Sequence, residues 1–411
     1  MPNVLPMRRV QERPGQSVDA KSAFVTTSMG GEAYAQWVRR AIGHARAAGG
    51  EIVPLFDSSV EEPVALLREI VEQGFSAPIT DKYQSVFVNG NPYVVDALAT
   101  RYAVPAEQVL PTTGATSALS LIYRTFLKPG DRVLVETPGF DLFGDIGRAF
   151  GAEVDHFARS GEDFAIDEAE IAARLTPRTR LVVLSDLHNP SGMQLGAGAI
   201  ARIAEIAARA GAHLVVDEVY GDYADRDARA GSAVHLSPNI IAVNSLTKIY
   251  GLSSLRCGWI IAAPRLLTPI RHVNDRFEFG VSKLSHAVAA LVFEHQDRFD
   301  DYSRGVIAAA RPIVEAHFAG WRDAGLIEGR LPRFGCISFP RLAGIDDTIA
   351  FSAWLADKFG VIVAPGEFFG AAGHVRIGHA HAPDTLEYGL DRFQEGLREY
   401  RALKAPAAAA G

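Results

Sequence analysis

His213-Leu214-Val215-Val216-Asp217 is an apolar run closed by a single carboxylate, short enough for a strand. Two further runs have the same texture: Arg132-Val133-Leu134-Val135-Glu136 and Arg180-Leu181-Val182-Val183-Leu184. Apolar residues on both parities mean a strand covered on both faces. Between the runs lie amphipathic stretches such as Ala199 to Ala210, and Lys128-Pro129-Gly130-Asp131 makes a turn ahead of the first run. Strands alternating with helices in this way predict an α/β fold, a mainly parallel sheet with helices on both faces in three layers. The pattern extends from Pro111 to about Ala263 and includes the apolar run Ile240-Ile241-Ala242-Val243.

From about Ser303 the order changes. A helix through Val314 to Ala324, a strand at Cys336 to Pro340, a helix near Thr348 to Phe359, and strands at Val361-Ile362-Val363 and His374 to Ile377 predict a smaller α+β domain. Residues before about 70 are expected to join it, since the sheet is complete without them. The expected division is a large domain at 70–300 and a small one from 21–69 with 301–403. Residues 1–20 and the Ala-rich tail 404–411 are expected to be poorly ordered.

The chain has 411 residues, 48% of them hydrophobic, enough for a sizeable core in two or three domains. A net charge of -7 with dispersed charges offers no basic face for nucleic acid. Two cysteines, Cys257 and Cys336, are too few for a disulfide scaffold and lack metal-ligand spacing, so no metal is expected and a reducing, cytoplasmic setting fits. Arg8, Arg9, Glu12 and Arg13 precede no apolar segment, unlike a secretory signal. No run of eighteen apolar residues predicts a membrane span.

The chemistry concentrates in Ser245-Leu246-Thr247-Lys248-Ile249-Tyr250-Gly251, with Arg256 eight residues after Lys248. An amine there can condense with an aldehyde, while a hydroxyl and a guanidinium can hold a phosphate. Pyridoxal phosphate is both aldehyde and phosphate ester. A solvated loop with a Lys and an Arg is the alternative for this segment alone.

Ligands of open parallel sheets bind beyond the carboxyl ends of the strands. Asp217 closes one strand and Tyr220 follows it, Asn189-Pro190-Ser191-Gly192 follows another, and Thr113-Gly114-Ala115-Thr116 opens the apolar helix Ala118 to Leu127, whose first N–H groups can meet an anion. Singly these are ordinary: a strand-end Asp can be a cap, Asn-Pro-Ser-Gly is a turn, and Phe140 or Tyr220 can be core aromatics. Arg376 in an apolar strand needs a carboxylate from the protein or from a ligand. His188 reads as a packed loop residue, and Cys257 as a small apolar one.

Taken in order, these motifs resemble the class I/II aminotransferases of the fold type I pyridoxal-phosphate enzymes. The matching residues are Gly114-Ala115-Thr116, Pro138-Gly139-Phe140, Asn189 to Gly192, Asp217 to Tyr220, Ser245 to Lys248, Arg256, and Val375-Arg376-Ile377. The resemblance implies pyridoxal 5′-phosphate, held as a Lys248 aldimine (a Schiff base), with Lys248 as the proton shuttle. Asp217 would face the pyridine nitrogen, Tyr220 and Asn189 the 3-hydroxyl oxygen, and Phe140 a ring face. The phosphate would sit on Gly114, Ala115 and Thr116, with Ser245 and Arg256. Arg376 would take the substrate's α-carboxylate, with Asn189 beside it.

Two positions depart from the family pattern. Ser85 stands where many relatives carry a tyrosine that reaches the neighbouring subunit's phosphate, with Tyr83 as a substitute, and Asp96-Ala97-Leu98 replaces a usual Leu-Arg pair. The implied function is amino transfer between an amino acid and a 2-oxo acid, by a homodimer. A lyase, decarboxylase or cyclising synthase would use the same cofactor residues. A non-catalytic regulator behind a DNA-binding module is disfavoured, because few residues precede the core and none are strongly basic. Arg276 is a candidate for a distal carboxylate or for a surface network with Asp275 and Glu278.

Overall fold

The computed structural model describes residues 33–47, 52–76, 80–84, 90–224, 231–278 and 280–404. The segment 1–20 and all but the first residue of the tail 404–411, both expected to be poorly ordered, lie outside the described residues, as does Ser85; Lys404 itself ends a helix.

The chain enters through helices α1 (Tyr34–Ala47), α2 (Val64–Gly74) and α3 (Pro92–Tyr102). The central sheet has eight strands: β1 (Val109–Thr112), β2 (Arg132–Thr137), β3 (Glu153–Ser160), β4 (Ala165–Ile166), β5 (Thr179–Ser185), β6 (His213–Asp217), β7 (Ile240–Ser245) and β8 (Gly258–Ala262). Their spatial order is β1-β8-β7-β6-β5-β2-β3-β4. Strands β3, β2, β5, β6 and β7 pair in parallel, whereas β8 runs antiparallel to both of its neighbours and β4 antiparallel to β3. The sequence pattern anticipated the parallel centre but not the reversed β8.

The crossovers contain α4 (Ala115–Phe126), α5 (Leu142–Ala149), α6 (Glu168–Arg174), α7 (Ala197–Arg209) and the single-turn α8 (Leu246–Ile249). Helices α9 (Pro264–Phe277) and α10 (Lys283–Glu294) follow the last strand. Alternate residues of each strand point to opposite faces. Val133, Val135, Val183, Val215 and Val243 pack with Ala118 and Ile122 of α4 and Leu267 of α9. Leu134, Val182, Leu184, Leu214 and Val216 pack with Ile203, Ala204 and Ala207 of α7. Each such Val or Leu contributes about 1.5–3 kcal/mol on burial, which is why the runs are apolar at both parities.

The remaining chain forms α11 (Gln296–Asp323), α12 (Thr348–Phe359), α13 (Pro383–Lys404) and short strands β9 (Ile327–Glu328), β10 (Ile337–Ser338), β11 (Arg341–Leu342), β12 (Ala364–Pro365) and β13 (Val375–Gly378). A three-stranded sheet has the order β10-β13-β12, and β11 pairs with β9. Val53 and Leu55 share a core with Trp321, Phe351, Val375 and Phe393, while Ile70 of α2 packs with Val94, Leu98 and Phe293. The positions 69/70 and 300/301 fall inside the continuous helices α2 and α11. The helix expected at Val314 to Ala324 is the last part of α11, whose polar first turns carry fewer apolar residues. The strand expected at Val361 to Val363 is instead one parallel bridge between Val361 and Val53. Those three valine and isoleucine side chains are held by core packing rather than by a ladder.

Three chain segments meet at Gly258, which is paired with Thr112 of β1 on one side and Ser245 of β7 on the other. A Cβ on Gly258 would lie 2.7 Å from the Ala115 nitrogen and 2.7 Å from Gly114 Cα, too close for any real contact. Glycine therefore lets the start of α4 fold over the sheet at this point. Gly258→Ala is expected to destabilise the fold by about 1–3 kcal/mol through overpacking; a thermal midpoint equal to the wild type's would show that the two backbones have room to separate.

Candidate active site

A cavity opens beyond the carboxyl ends of the parallel strands, lined by Tyr34, Ser58, Ala115, Thr116, Phe140, Asn189, Asp217, Tyr220, Ser245, Lys248, Arg256 and Arg376 among others. The structure thus brings the sequence-predicted residues to one place. Ser58 and Tyr34 were not anticipated. They come from the N-terminal segments, where no motif or periodicity marks them.

One end of the cavity gathers groups that suit an anion. Helix α4 begins at Gly114, with φ 85° and no side-chain cap, and its first turn has no acidic residue. Its leading N–H groups therefore remain available, with the positive end of the helix dipole behind them. Arg256, itself in the left-handed region at φ 47°, brings its guanidinium to the Thr113 carbonyl at 3.4 Å. A Cβ on Gly114 would lie 2.7 Å from Arg256 Nη2, so glycine gives the guanidinium access to the turn. Ser245 is buried at the end of β7, its N–H donating to Asn244 Oδ1 at 2.7 Å.

At the centre stands Asp217, at the carboxyl end of β6 and 4% exposed. Burial is the main cause that pushes its pKa up to about 7; the neighbouring Glu136 and Glu218 add to the rise, and the Val219 N–H and Lys248 oppose it. Val219 N–H donates to Oδ1 at 3.1 Å. Tyr220 is buried, its hydroxyl has no hydrogen-bond partner among the described residues, and burial raises its pKa. Phe140 meets Phe143 edge-on at 5.8 Å in the turn after β2.

Lys248 lies on α8, directly after β7, with Nζ donating to Ser58 Oγ at 2.9 Å and standing 5.8 Å from the centre of the Tyr220 ring. Loss of water lowers its pKa first, and the positive charge of Arg376 lowers it further.

Arg376, in β13, is 1% exposed. It donates to Asn189 Oδ1 at 2.9 Å, to the Phe56 carbonyl at 3.2 Å and to the Tyr34 hydroxyl, while its Nε has no partner. No carboxylate pairs with it among the described residues. A guanidinium only donates, so Asn189 must present its oxygen to Arg376 and its NH2 group elsewhere. Asn189 is fixed in turn: its N–H donates to Ser185 Oγ at 2.9 Å, and Ser185 Oγ donates to Glu136 at 2.5 Å. Glu136 pairs with Arg159 at 2.7 Å, both fully buried. His188 is a packed residue, bonded to Ser191 Oγ at 2.6 Å and to the Pro138 carbonyl at 2.9 Å. Cys257 is buried and apolar in its surroundings.

Gly114 sits just behind this lining, next to Ala115, and two other candidates lie away from it. Tyr83 packs under Lys283, whose Nζ is 4.1 Å from its ring centre. Arg276 is exposed on the last turn of α9.

The family model described as aminotransferase class I and II matches residues 84–393. The chain is similar to the capreomycidine synthase of Streptomyces vinaceus, 30% identical across 71% of this chain and 75% of that protein. It is similar to the arginine–pyruvate transaminase AruH of Pseudomonas aeruginosa, 29% identical across 72% of this chain and 74% of that protein. Among solved structures it resembles the PLP-dependent cyclase OrfR, with 29% identity and a TM-score of 0.75 over 88% of this chain and 96% of that one.

The raised Asp217 value has a consequence for stability. A carboxyl held above its ordinary 3.8 in the fold binds a proton that the unfolded chain releases, so its contribution falls as pH rises from about 4 to about 7. In ligand-free protein, the wild type should lose on the order of 2 kcal/mol relative to Asp217→Asn between pH 5 and pH 8. Urea midpoints of the two proteins that stay parallel across that range would contradict the shift.

Proposed function

The chain belongs to the aminotransferase class I and II family, and we propose that its cavity holds pyridoxal 5′-phosphate and moves an amino group between an amino acid and a 2-oxo acid. The observation that carries this reading is the convergence of Lys248, Asp217 and a buried Arg376 that no carboxylate among the described residues neutralises.

The residues present fit the cofactor. The uncapped start of α4, with Gly114, Ala115 and Thr116, suits a phosphate together with Ser245 and Arg256. Asp217 suits the pyridine nitrogen, and the Tyr220 hydroxyl and the Asn189 NH2 group suit the ring oxygen. Phe140 suits a ring face. When bound, the cofactor supplies an aldehyde that condenses with amines and a ring that accepts the electrons of a Cα carbanion.

The chain's own groups supply the rest. Asp217 holds a proton at the ring nitrogen, a task helped by a dry site in which a proton and a carboxylate stay together. Lys248, with its pKa lowered, has more neutral amine available to take a proton from Cα and return it. Arg376 and Asn189 grip the α-carboxylate, and fixing both ends of the substrate sets which Cα bond is aligned for cleavage. The Glu136–Arg159 pair keeps the Asn189 loop in place.

Division into a cofactor-holding unit at 70–300 and a smaller unit from 21–69 and 301–403 belongs to the same proposal, supported by the separate apolar cores around α4 and around Trp321. So does a homodimer, for which exposed Tyr93, Phe277 and Leu284 offer apolar surface. A cytoplasmic setting is supported by two buried, unpaired cysteines.

A second reading is ring closure, favoured by the similarity to a synthase and a cyclase at identities equal to or above that of the transaminase. The two separate cleanly in a panel of amino acids. Transamination consumes one 2-oxo acid for each amino donor, whereas ring closure yields product with no amino acceptor present. Formation of product at an undiminished rate without any 2-oxo acid would overturn the transaminase reading.

Lys248→Ala is expected to abolish turnover and the visible absorbance that shifts with amino acid, leaving the far-ultraviolet circular dichroism of the fold intact. Arg376→Ala should weaken carboxylate substrates by about 2–5 kcal/mol in kcat/KM. Turnover of amino acids at the wild-type kcat/KM in Arg376→Ala would assign the carboxylate to another residue.

A further inference from the structure

Residues 55–62 form an irregular strap that opens with a turn, reaches the cavity at Ser58 and is tied down along its length. Gly378 N–H donates to the Leu55 carbonyl at 2.6 Å, and the missing Cβ of Gly378 leaves room for the Asp57 carbonyl. Val60 is buried beside Leu187, Tyr220, Cys336 and Ile337. A Cβ on Gly251 would lie 2.9 Å from the Glu61 carbonyl carbon, so the strap rests directly on the loop after α8. The Glu61 carbonyl accepts from Tyr302 at 3.0 Å. Tyr223 is the central tie: its hydroxyl accepts from Val60 N–H at 3.4 Å and donates to the carbonyl of Lys248. One phenol therefore registers the strap against the backbone that carries the lysine.

Within this strap Ser58 is 4% exposed, and its hydroxyl oxygen receives the Lys248 amine at 2.9 Å. We infer that Ser58 is a positioning residue that holds the Lys248 amine whenever it is free, stabilising its protonated form and directing the lone pair of its neutral form toward the substrate side of the cavity. This rests on the reading of Lys248 as the group that gives and takes the Cα proton. An amine has at most three N–H directions; spending one on a fixed acceptor leaves a defined orientation for the rest. A hydrogen bond accepted from an ammonium favours the charged form, so the hydroxyl works against the loss of water and the charge of Arg376.

The charged and titratable groups that face the amine are Arg376 from β13, Tyr34 from α1, Asp57 of the strap, Cys336 ahead of β10, Asp217 at the end of β6 and Tyr220 just after it. None of these residues is altered when Ser58 is changed, but the Tyr220 phenol also feels the Ser58 hydroxyl, so Ser58→Thr, which keeps the hydroxyl for both, is the control that separates its loss from a change in packing.

The test uses the full-length protein, first without cofactor. The rate at which acetic anhydride acetylates Lys248 is measured against pH by mass spectrometry in wild type, Ser58→Ala and Ser58→Thr. Loss of the acceptor should move the reactivity midpoint down by about 0.5–1 pH unit in Ser58→Ala, while Ser58→Thr, which keeps a hydroxyl, should follow the wild type. With cofactor bound, the basic limb of the amino-donor half-reaction should shift the same way in Ser58→Ala, and kcat should fall on the order of ten-fold with KM nearly unchanged. Superimposable acetylation profiles for wild type and Ser58→Ala, or a Thr variant that behaves as the Ala variant, would overturn the assignment. Retention of colour and turnover in Lys248→Ala would instead sink the reading of Lys248 itself, which the cofactor-free acetylation does not depend on.

Discussion

A guanidinium buried, among the described residues, with neutral acceptors alone governs this site. Arg376 lies in the core of β13 against the rings of Tyr34 and Phe369, 5.2 and 4.9 Å from their centres, with oxygens of Asn189, Tyr34 and Phe56 as its acceptors. Burying such a charge without a counter-charge is costly, and a fold tolerates it where a ligand supplies the missing anion. The nearest buried carboxylate along the hydrogen-bonded chain, Glu136, is already matched by Arg159. That pair contributes rigidity through Ser185 to Asn189 but no net charge. The field of Arg376 is therefore felt by Lys248, which it helps to keep less basic than a free lysine.

The second constraint is steric. Thr112, Gly258 and Ser245 lie side by side across β1, β8 and β7, and the turn that starts α4 folds over the middle one. The reversed direction of β8 matters here. Its first residue, rather than its last, meets the carboxyl end of β7, so the loop from α8 to β8 stays short and keeps Arg256 within reach of the helix start. Cradle, lysine and guanidinium thus depend on one glycine and on one change of strand direction.

Much of this was legible in the sequence. Strands buried on both faces announce themselves as runs such as Val133 to Val135 and Val182 to Leu184, and residues at their ends follow from the geometry of parallel sheets. Asp217, Asn189, Lys248 and the Gly114 turn were accessible for that reason. The reversed β8 was not, because Gly258 to Ala262 carries the same apolar texture whichever way it runs. Ser58 and Tyr34 were also hidden. A hydroxyl in an irregular strap has no period, and its partner Lys248 is 190 positions away. The Val361 to Val363 run shows the converse error, for apolar β-branched residues mark burial first and a ladder only when a neighbour pairs with them.

The same electrostatics connect substrate capture to the chemistry. In the free site, the charge of Arg376 is second only to loss of water in lowering the basicity of Lys248. A carboxylate that pairs with Arg376 cancels most of that field at the amine. On the proposed function, the lysine would then be a stronger base once a substrate is in place, and a weaker one in the empty site, where a persistent ammonium would oppose condensation with an aldehyde. Tyr34 would belong to this exchange, because its hydroxyl occupies one donor of Arg376 that a carboxylate bound there would have to share. On the proposed function, carboxylate binding at Arg376 and proton transfer at Lys248 would in this way be two readings of one charge balance between two buried cations.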